Sequence, residues 1–66
     1  MKNSIRIERA IKGLTQEELS KKVAVSRQTI NAMEANKYVP STVLAIKIAK
    51  VFNKPVEDIF LLEDGD

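Results

Sequence analysis

Apolar residues recur along this chain at spacings of three and four rather than two, the period of helices buried on one side. Punctuation divides the pattern into five helical segments. The only glycines are Gly13 and Gly65, and the only prolines are Pro40 and Pro55. The first segment runs from about Ser4 to Lys12, with Ile7, Ala10, Ile11 and Leu14 as its apolar stripe and Gly13 as a left-handed C-cap. The second opens on Thr15, an N-cap residue followed three positions later by Glu18, which is the capping-box pattern. Leu19 and Val23 are its buried positions. Ala24 and Val25 make a turn, and Ser26 caps a third helix that buries Ile30 and Met33. A polar loop from Ala35 to Pro40 leads to Ser41, the cap of a fourth helix. There Leu44, Ile48 and Phe52 fall at i, i+4 and i+8, with Ala45 and Ala49 beside them. Asn53 ends that helix. Pro55 suits the first turn of a fifth, where Glu57 and Asp58 favour the N-terminal dipole and Val56, Ile59 and Phe60 are apolar. Leu61 and Leu62 either extend a helix or form a short edge strand. Glu63 to Asp66 are expected to fray.

Two helix-start signals, Thr15 and Ser26, stand eleven residues apart. Residues 15–35 therefore read as two short helices joined by a tight turn. The third helix turns Arg27, Gln28, Asn31 and Ala32 away from Ile30 and Met33, with Thr29 partly on the same side. A short, rigidly held helix with polar tips fits a major groove about 12 Å wide. Arginine forks onto guanine or clamps a phosphate, and glutamine pairs bidentately with adenine. Threonine can meet a thymine methyl, and asparagine can bond a base or a phosphate. On an isolated helix Arg-Gln-Thr is an ordinary solvated face. Its place in a capped helix-turn-helix makes it a candidate DNA reader.

Sixty-six residues allow one domain, with a core over about residues 5–60. A chain this short buries only about 60% of the surface that its unfolded form exposes. The usual reinforcements are disulfides, a metal or self-association. The sequence has no cysteine and no histidine, which excludes disulfides and the common zinc frameworks. No metal and no cofactor are expected, and self-association, most simply a homodimer, is the remaining route. No apolar run approaches the ~20 residues of a membrane span, and Met1 to Ser4 lead straight into a periodic segment. These features predict a cytoplasmic protein.

Charge sharpens the picture. Eleven cations and four acids precede residue 57, a balance of +7, and the last ten residues carry five acids, −5. A basic body attracts polyanions, and an acidic tail lies away from them. The same balance also suits an ordinary solvated surface. No histidine, cysteine or glycine-rich phosphate loop suggests an enzyme. Glu17 and Glu18 are adjacent and face apart, and Glu18 is already used by the cap. Lys21 and Lys22 suit a phosphate clamp or a solvated face equally.

The segments L-T-Q-E-E-L from Leu14, V-S-R-Q-T-I-N from Val25 and N-K-Y-V-P-S from Asn36 occur in order. Together they resemble the Cro/CI-type helix-turn-helix family (XRE, lambda-repressor-like) over about residues 5–60. The likeness is to its minimal single-domain members, which carry no sensor domain. It implies an all-α, five-helix, lambda-repressor-like fold and transcriptional regulation through duplex DNA. Repression by a homodimer on a palindromic operator is the simplest form. By resemblance, Arg27, Gln28 and Ala32 fall on base-reading positions, alanine replacing a longer side chain at the third. Gln16 matches a residue that contacts a backbone phosphate with help from the helix N-terminus. Ser26 matches a cap near the phosphates, and Lys37 and Tyr38 lie in the loop that follows the backbone. Arg9 and Glu34 match a structural ion pair. Two departures stand out. Ala24 replaces the usual turn glycine, at about 1 kcal/mol if the left-handed angle is kept. Ser20 replaces a small alanine, and its hydroxyl must bond back to its own helix.

Val43 and Ile46 form a second apolar stripe on the fourth helix, and Leu61 and Leu62 add apolar surface near the C-terminus. A dimer interface built from the fifth helix, the tail and part of the fourth would use them. The alternative is a protein-interaction module, such as the antitoxin of a toxin–antitoxin pair. RNA is a poorer fit, because Tyr38 is the sole candidate for an exposed stacking aromatic.

Overall fold

Caps fix the helix boundaries of the computed structural model, which describes residues 1–66. Five helices follow in order: α1 (Ile5–Lys12), α2 (Gln16–Val23), α3 (Arg27–Glu34), α4 (Thr42–Phe52) and α5 (Val56–Ile59). Thr15, Ser26 and Ser41 each place a side-chain oxygen on the backbone N–H three residues on, satisfying a donor that the first turn leaves free. At the other ends, Gly13, Ala24 and Asn53 adopt left-handed backbone and return N–H groups to the last turn. Asn36, at φ 59°, does the same two residues beyond the end of α3, with the Lys37 N–H on the Ala32 carbonyl at 2.9 Å.

The helices enclose one core: Ile5, Leu19, Val23, Ile30, Met33, Leu44, Ile48, Ala49, Phe52, Ile59 and Phe60. Helix α2 packs on α3, and α4 lies against α1, α2 and α5. This is the all-α, lambda-repressor-like arrangement, with a helix-turn-helix at its centre.

Two features differ from the sequence reading. The first concerns α1, whose supposed apolar stripe faces water: Ile7 is 62% and Ile11 70% exposed. Its inward side is Ile5 and Glu8, with Arg9 half-buried. Only Leu14 of the expected set packs against the core. Ile5 enters the core from this side, and the charged residues beside it find partners. Glu8 pairs with Lys54 Nζ at 2.7 Å, and Arg9 pairs with Glu34, so the charged side of α1 is the side with partners.

The second difference lies at the chain ends. Strand β1 (Lys2–Asn3) pairs antiparallel with β2 (Phe60–Leu61), with Lys2 opposite Leu61 and Asn3 opposite Phe60. Of the two options for Leu61 and Leu62, the edge strand is correct for Leu61. The tail turns back onto the N-terminus. The Glu63 N–H donates to Asp66 Oδ2 at 2.7 Å, and the Met1 amine reaches Glu63 at 3.2 Å and Asp66 at 3.0 Å. Phe60, taken as part of the fifth helix, has extended backbone in β2 and is buried there.

Candidate nucleic-acid interface

The α2–turn–α3 unit is fixed by local bonds before any packing is considered. Thr15 Oγ1 accepts the Glu18 N–H at 3.0 Å, and Glu18 Oε1 accepts the Thr15 N–H at 2.9 Å. The Thr15 N–H and hydroxyl hold the exposed Glu18 carboxyl below its usual range. Ala24, at φ 60° and ψ 45°, keeps the left-handed turn that glycine would occupy without strain. Ser20 is buried, and its hydroxyl donates to the Glu17 carbonyl at 2.7 Å, the back-bond that its burial requires. Ser26 Oγ accepts the Thr29 N–H at 3.2 Å and lies 3.0 Å from the Thr29 hydroxyl.

Four residues hold α3 against the body. Ile30 and Met33 are fully buried. Glu34, whose side chain is 1% exposed, accepts two bonds from Arg9, Nε to Oε2 at 2.7 Å and Nη2 to Oε1 at 3.0 Å. Arg9 also donates Nη1 to the Leu14 carbonyl at 2.9 Å, so one guanidinium ties α1, α3 and the start of α2 together. Burial pushes the Glu34 carboxyl upward, but the bonds from Arg9 and Gln16 outweigh it and leave the pKa below the ordinary range. The Arg9 guanidinium is shifted up, chiefly by its hydrogen bond to Glu34.

The fourth anchor, Asn3, is absent from the sequence reading. Its Nδ2 donates to the Met33 carbonyl at 2.8 Å and to Asn36 Oδ1 at 3.3 Å, while its Oδ1 accepts the Ile5 N–H at 3.2 Å. One side chain therefore serves the N-terminus of α1 and the C-terminus of α3. An asparagine just ahead of a helix was the available signal. Ser4, the residue taken as the helix start, makes no side-chain cap bond.

The residues singled out from the sequence occupy two neighbouring segments. Arg27, Gln28 and Asn31 lie exposed on α3, and Thr29 and Ala32 are half-buried beside them. At about 100° per residue, positions 27, 28 and 31 fall within a single arc of roughly 100°, opposite the buried residues. Ser26 is exposed at the helix start, and Lys37 and Tyr38 are exposed in the loop after α3. Gln16 differs from these. It is half-buried, and its Nε2 faces Glu34 Oε1 at 3.1 Å and Asn31 Oδ1 at 3.4 Å.

A second face is apolar. Met1, Val39, Pro40, Thr42, Ala45, Ile46, Val56 and Phe60 line a groove of about 420 Å³. Val43 and Leu62 are exposed hydrophobics on α4 and in the tail. No helix is long and apolar enough to cross a membrane.

Comparison with known proteins agrees with this architecture. A helix-turn-helix family model matches residues 5–59. The chain is 56% identical, over the full length of both, to an HTH-type transcriptional regulator of Methanocaldococcus jannaschii. It is 55% identical to another from Archaeoglobus fulgidus, covering all of this chain and 94% of that one. The HTH-type transcriptional regulator YgzD of Bacillus subtilis is 48% identical, with 97% of each chain covered. The capped, ion-paired helix-turn-helix and these full-length similarities place the chain in the XRE-type helix-turn-helix family of DNA-binding transcription regulators.

Proposed function

We propose that this protein is a sequence-specific repressor that binds a palindromic operator as a homodimer. The observation carrying the proposal is the exposed arc of α3, held from behind by Ile30, Met33 and the Arg9–Glu34 pair. Base reading is assigned to Arg27, Gln28, Thr29, Asn31 and Ala32. Arg27 forks onto guanine and Gln28 pairs with adenine, each good bidentate pair giving about 1–3 kcal/mol of discrimination. Thr29 and Ala32 supply small apolar contacts at the groove floor. Gln16, Ser26, Lys37 and Tyr38 are assigned to the DNA backbone. About six phosphate contacts would give a log–log salt slope near −5. Control by occupancy needs no bound cofactor, and the protein acts in the compartment that holds the DNA.

The apolar groove and the exposed Val43 and Leu62 support self-association through the C-terminal helix, the tail and part of α4. A two-fold dimer presents two copies of α3 to successive half-sites about one helical turn apart.

A gel-shift titration against DNA from upstream of the protein's own gene tests this. Binding there should be at least about a thousandfold tighter than to random DNA at moderate salt, and sedimentation should show a dimer. Equal affinity for both DNAs would overturn the specific role, and a monomer at binding concentrations would overturn the dimer.

A further inference from the structure

Arg9, Glu34, Gln16 and Asn31 form one continuous chain of hydrogen bonds, from the back of α3 to its exposed face. Each link constrains the next. A carboxylate can only accept, so the Gln16 amide must turn its nitrogen, not its oxygen, toward Glu34 Oε1. A primary amide nitrogen carries two protons, and the second acceptor facing it is Asn31 Oδ1 at 3.4 Å. Asn31 must therefore give its oxygen to Gln16, which leaves its Nδ2 with two protons and no protein acceptor. The orientation of an exposed amide is thus set by an ion pair buried behind it. In the same way, both side-chain protons of Gln16 are engaged within the protein, and its remaining free group is an oxygen that cannot donate to a phosphate.

We infer that Gln16 is a positioning residue that fixes Asn31 as a donor-only reader of the base edge. Bidentate pairing with adenine needs an amide oxygen and nitrogen side by side toward the base, and here the oxygen points back into the protein. Asn31 then selects a base that offers acceptors alone, guanine O6 and N7 or thymine O4, over cytosine, which offers only an amino group, and over adenine, whose one acceptor N7 stands beside an amino group. The phosphate contact assigned to this position passes from the Gln16 side chain to the free N–H groups at the start of α2.

The DNA half of this inference rests on the proposed function, whereas the amide geometry does not, so the two can fail separately. In the free protein, side-chain amide exchange measured by NMR tests the geometry. The chain has only two glutamines, and Gln28, exposed, is the internal reference. Gln16 protons should exchange about fivefold more slowly than those of Gln28, the protection expected of one net hydrogen bond. Asn31 protons should exchange as fast as an exposed amide, and those of Asn3, bound to the Met33 carbonyl, should be slow. Equal rates for Gln16 and Gln28, or a protected Asn31, would overturn the orientation whatever the protein does with DNA.

Selection from a randomised duplex library tests the consequence. Asn31→Ala identifies the base position concerned. Gln16→Met keeps length and volume and removes the donors, so Asn31 is free to turn. The variant should gain bidentate pairing with adenine and raise the adenine-to-guanine ratio at that one position about fivefold. Preferences set by Arg27 and Gln28 should stay as they were. An unchanged profile in Gln16→Met, with its melting temperature retained, would show that Gln16 does not position Asn31. Wild-type protein that enriches no sequence would sink the proposed function while leaving the exchange result standing.

Discussion

Gly13 and Ala24 hold nearly the same left-handed backbone, φ 67° and ψ 30° against φ 60° and ψ 45°, yet only one of them is glycine. Both are exposed, and a Cβ built on Gly13 meets nothing within 4 Å. Backbone strain can therefore be measured without a packing term. An L-residue in this region costs about 1–2 kcal/mol. Glycine offsets part of that relief, because its freer unfolded chain costs about 0.4–1 kcal/mol on folding. The net expectation for Ala24→Gly is a gain of about 0.5–1 kcal/mol, and for Gly13→Ala a loss of similar size. For a domain of this length, 1 kcal/mol moves the melting temperature by about 4–8 °C. Thermal unfolding followed by circular dichroism should then place Ala24→Gly roughly 3–6 °C above the parent and Gly13→Ala about as far below. A fall in melting temperature for Ala24→Gly would refute the reasoning, since it would mean that Ala24 is not strained. A neutral Gly13→Ala would refute it equally.

Other substitutions probe the anchors of α3 and the orientation of α1. Breaking a buried ion pair by removing one partner costs about 3–5 kcal/mol. Arg9 keeps 17% of its side chain in water, so Glu34→Ala should fall near the lower figure in a urea titration. The Glu34 carboxyl has a lowered pKa, so its contribution to stability is fully present above the ordinary value of 4.5 and is lost as pH falls through the folded-state value below it. An acid titration of wild-type protein against Glu34→Gln should show a steeper loss in the wild type below pH 4.5, and parallel curves would count against the pair. Asn3→Ala removes the acceptor of the Ile5 N–H and one of the two donors to the Met33 carbonyl, which keeps the Asn36 N–H, and should cost about 1–3 kcal/mol in denaturant melts. Ile7→Gln and Ile11→Gln should each stay within about 0.5 kcal/mol of wild type, whereas Ile5→Ala should lose about 2–5 kcal/mol. The reverse order would restore the stripe that periodicity suggested.

The helix-turn-helix was legible because its determinants are local. Thr15 with Glu18, and Ser26 with Thr29, act across three residues, and Leu19, Val23, Ile30 and Met33 mark their helices by spacing alone. The same locality made the requirements at Ala24 and Ser20 readable, since the turn angle and the back-bond lie within four residues. The Arg9–Glu34 pair, 25 residues apart, came from the family resemblance, not from any local signal.

What the tertiary structure decided are the features whose partners lie far along the chain. Spacing identifies an apolar stripe on α1 but cannot say which side of so short a helix meets the body. On that side Ile5 meets the core, Glu8 meets Lys54, 46 residues away, and Arg9 meets Glu34. The pairing of Lys2–Asn3 with Phe60–Leu61 closes the chain on itself and sets Asn3 under α3, where no run of either strand is long enough to announce itself. The direction of the Asn31 amide belongs to the same class. The sequence by itself supplied the helix and the side chains on its outer face. Only the folded chain, by bringing Arg9, Glu34 and Gln16 behind that face, determined which atom of Asn31 is left to meet a ligand, because a hydrogen bond depends on what stands opposite and not on what stands next.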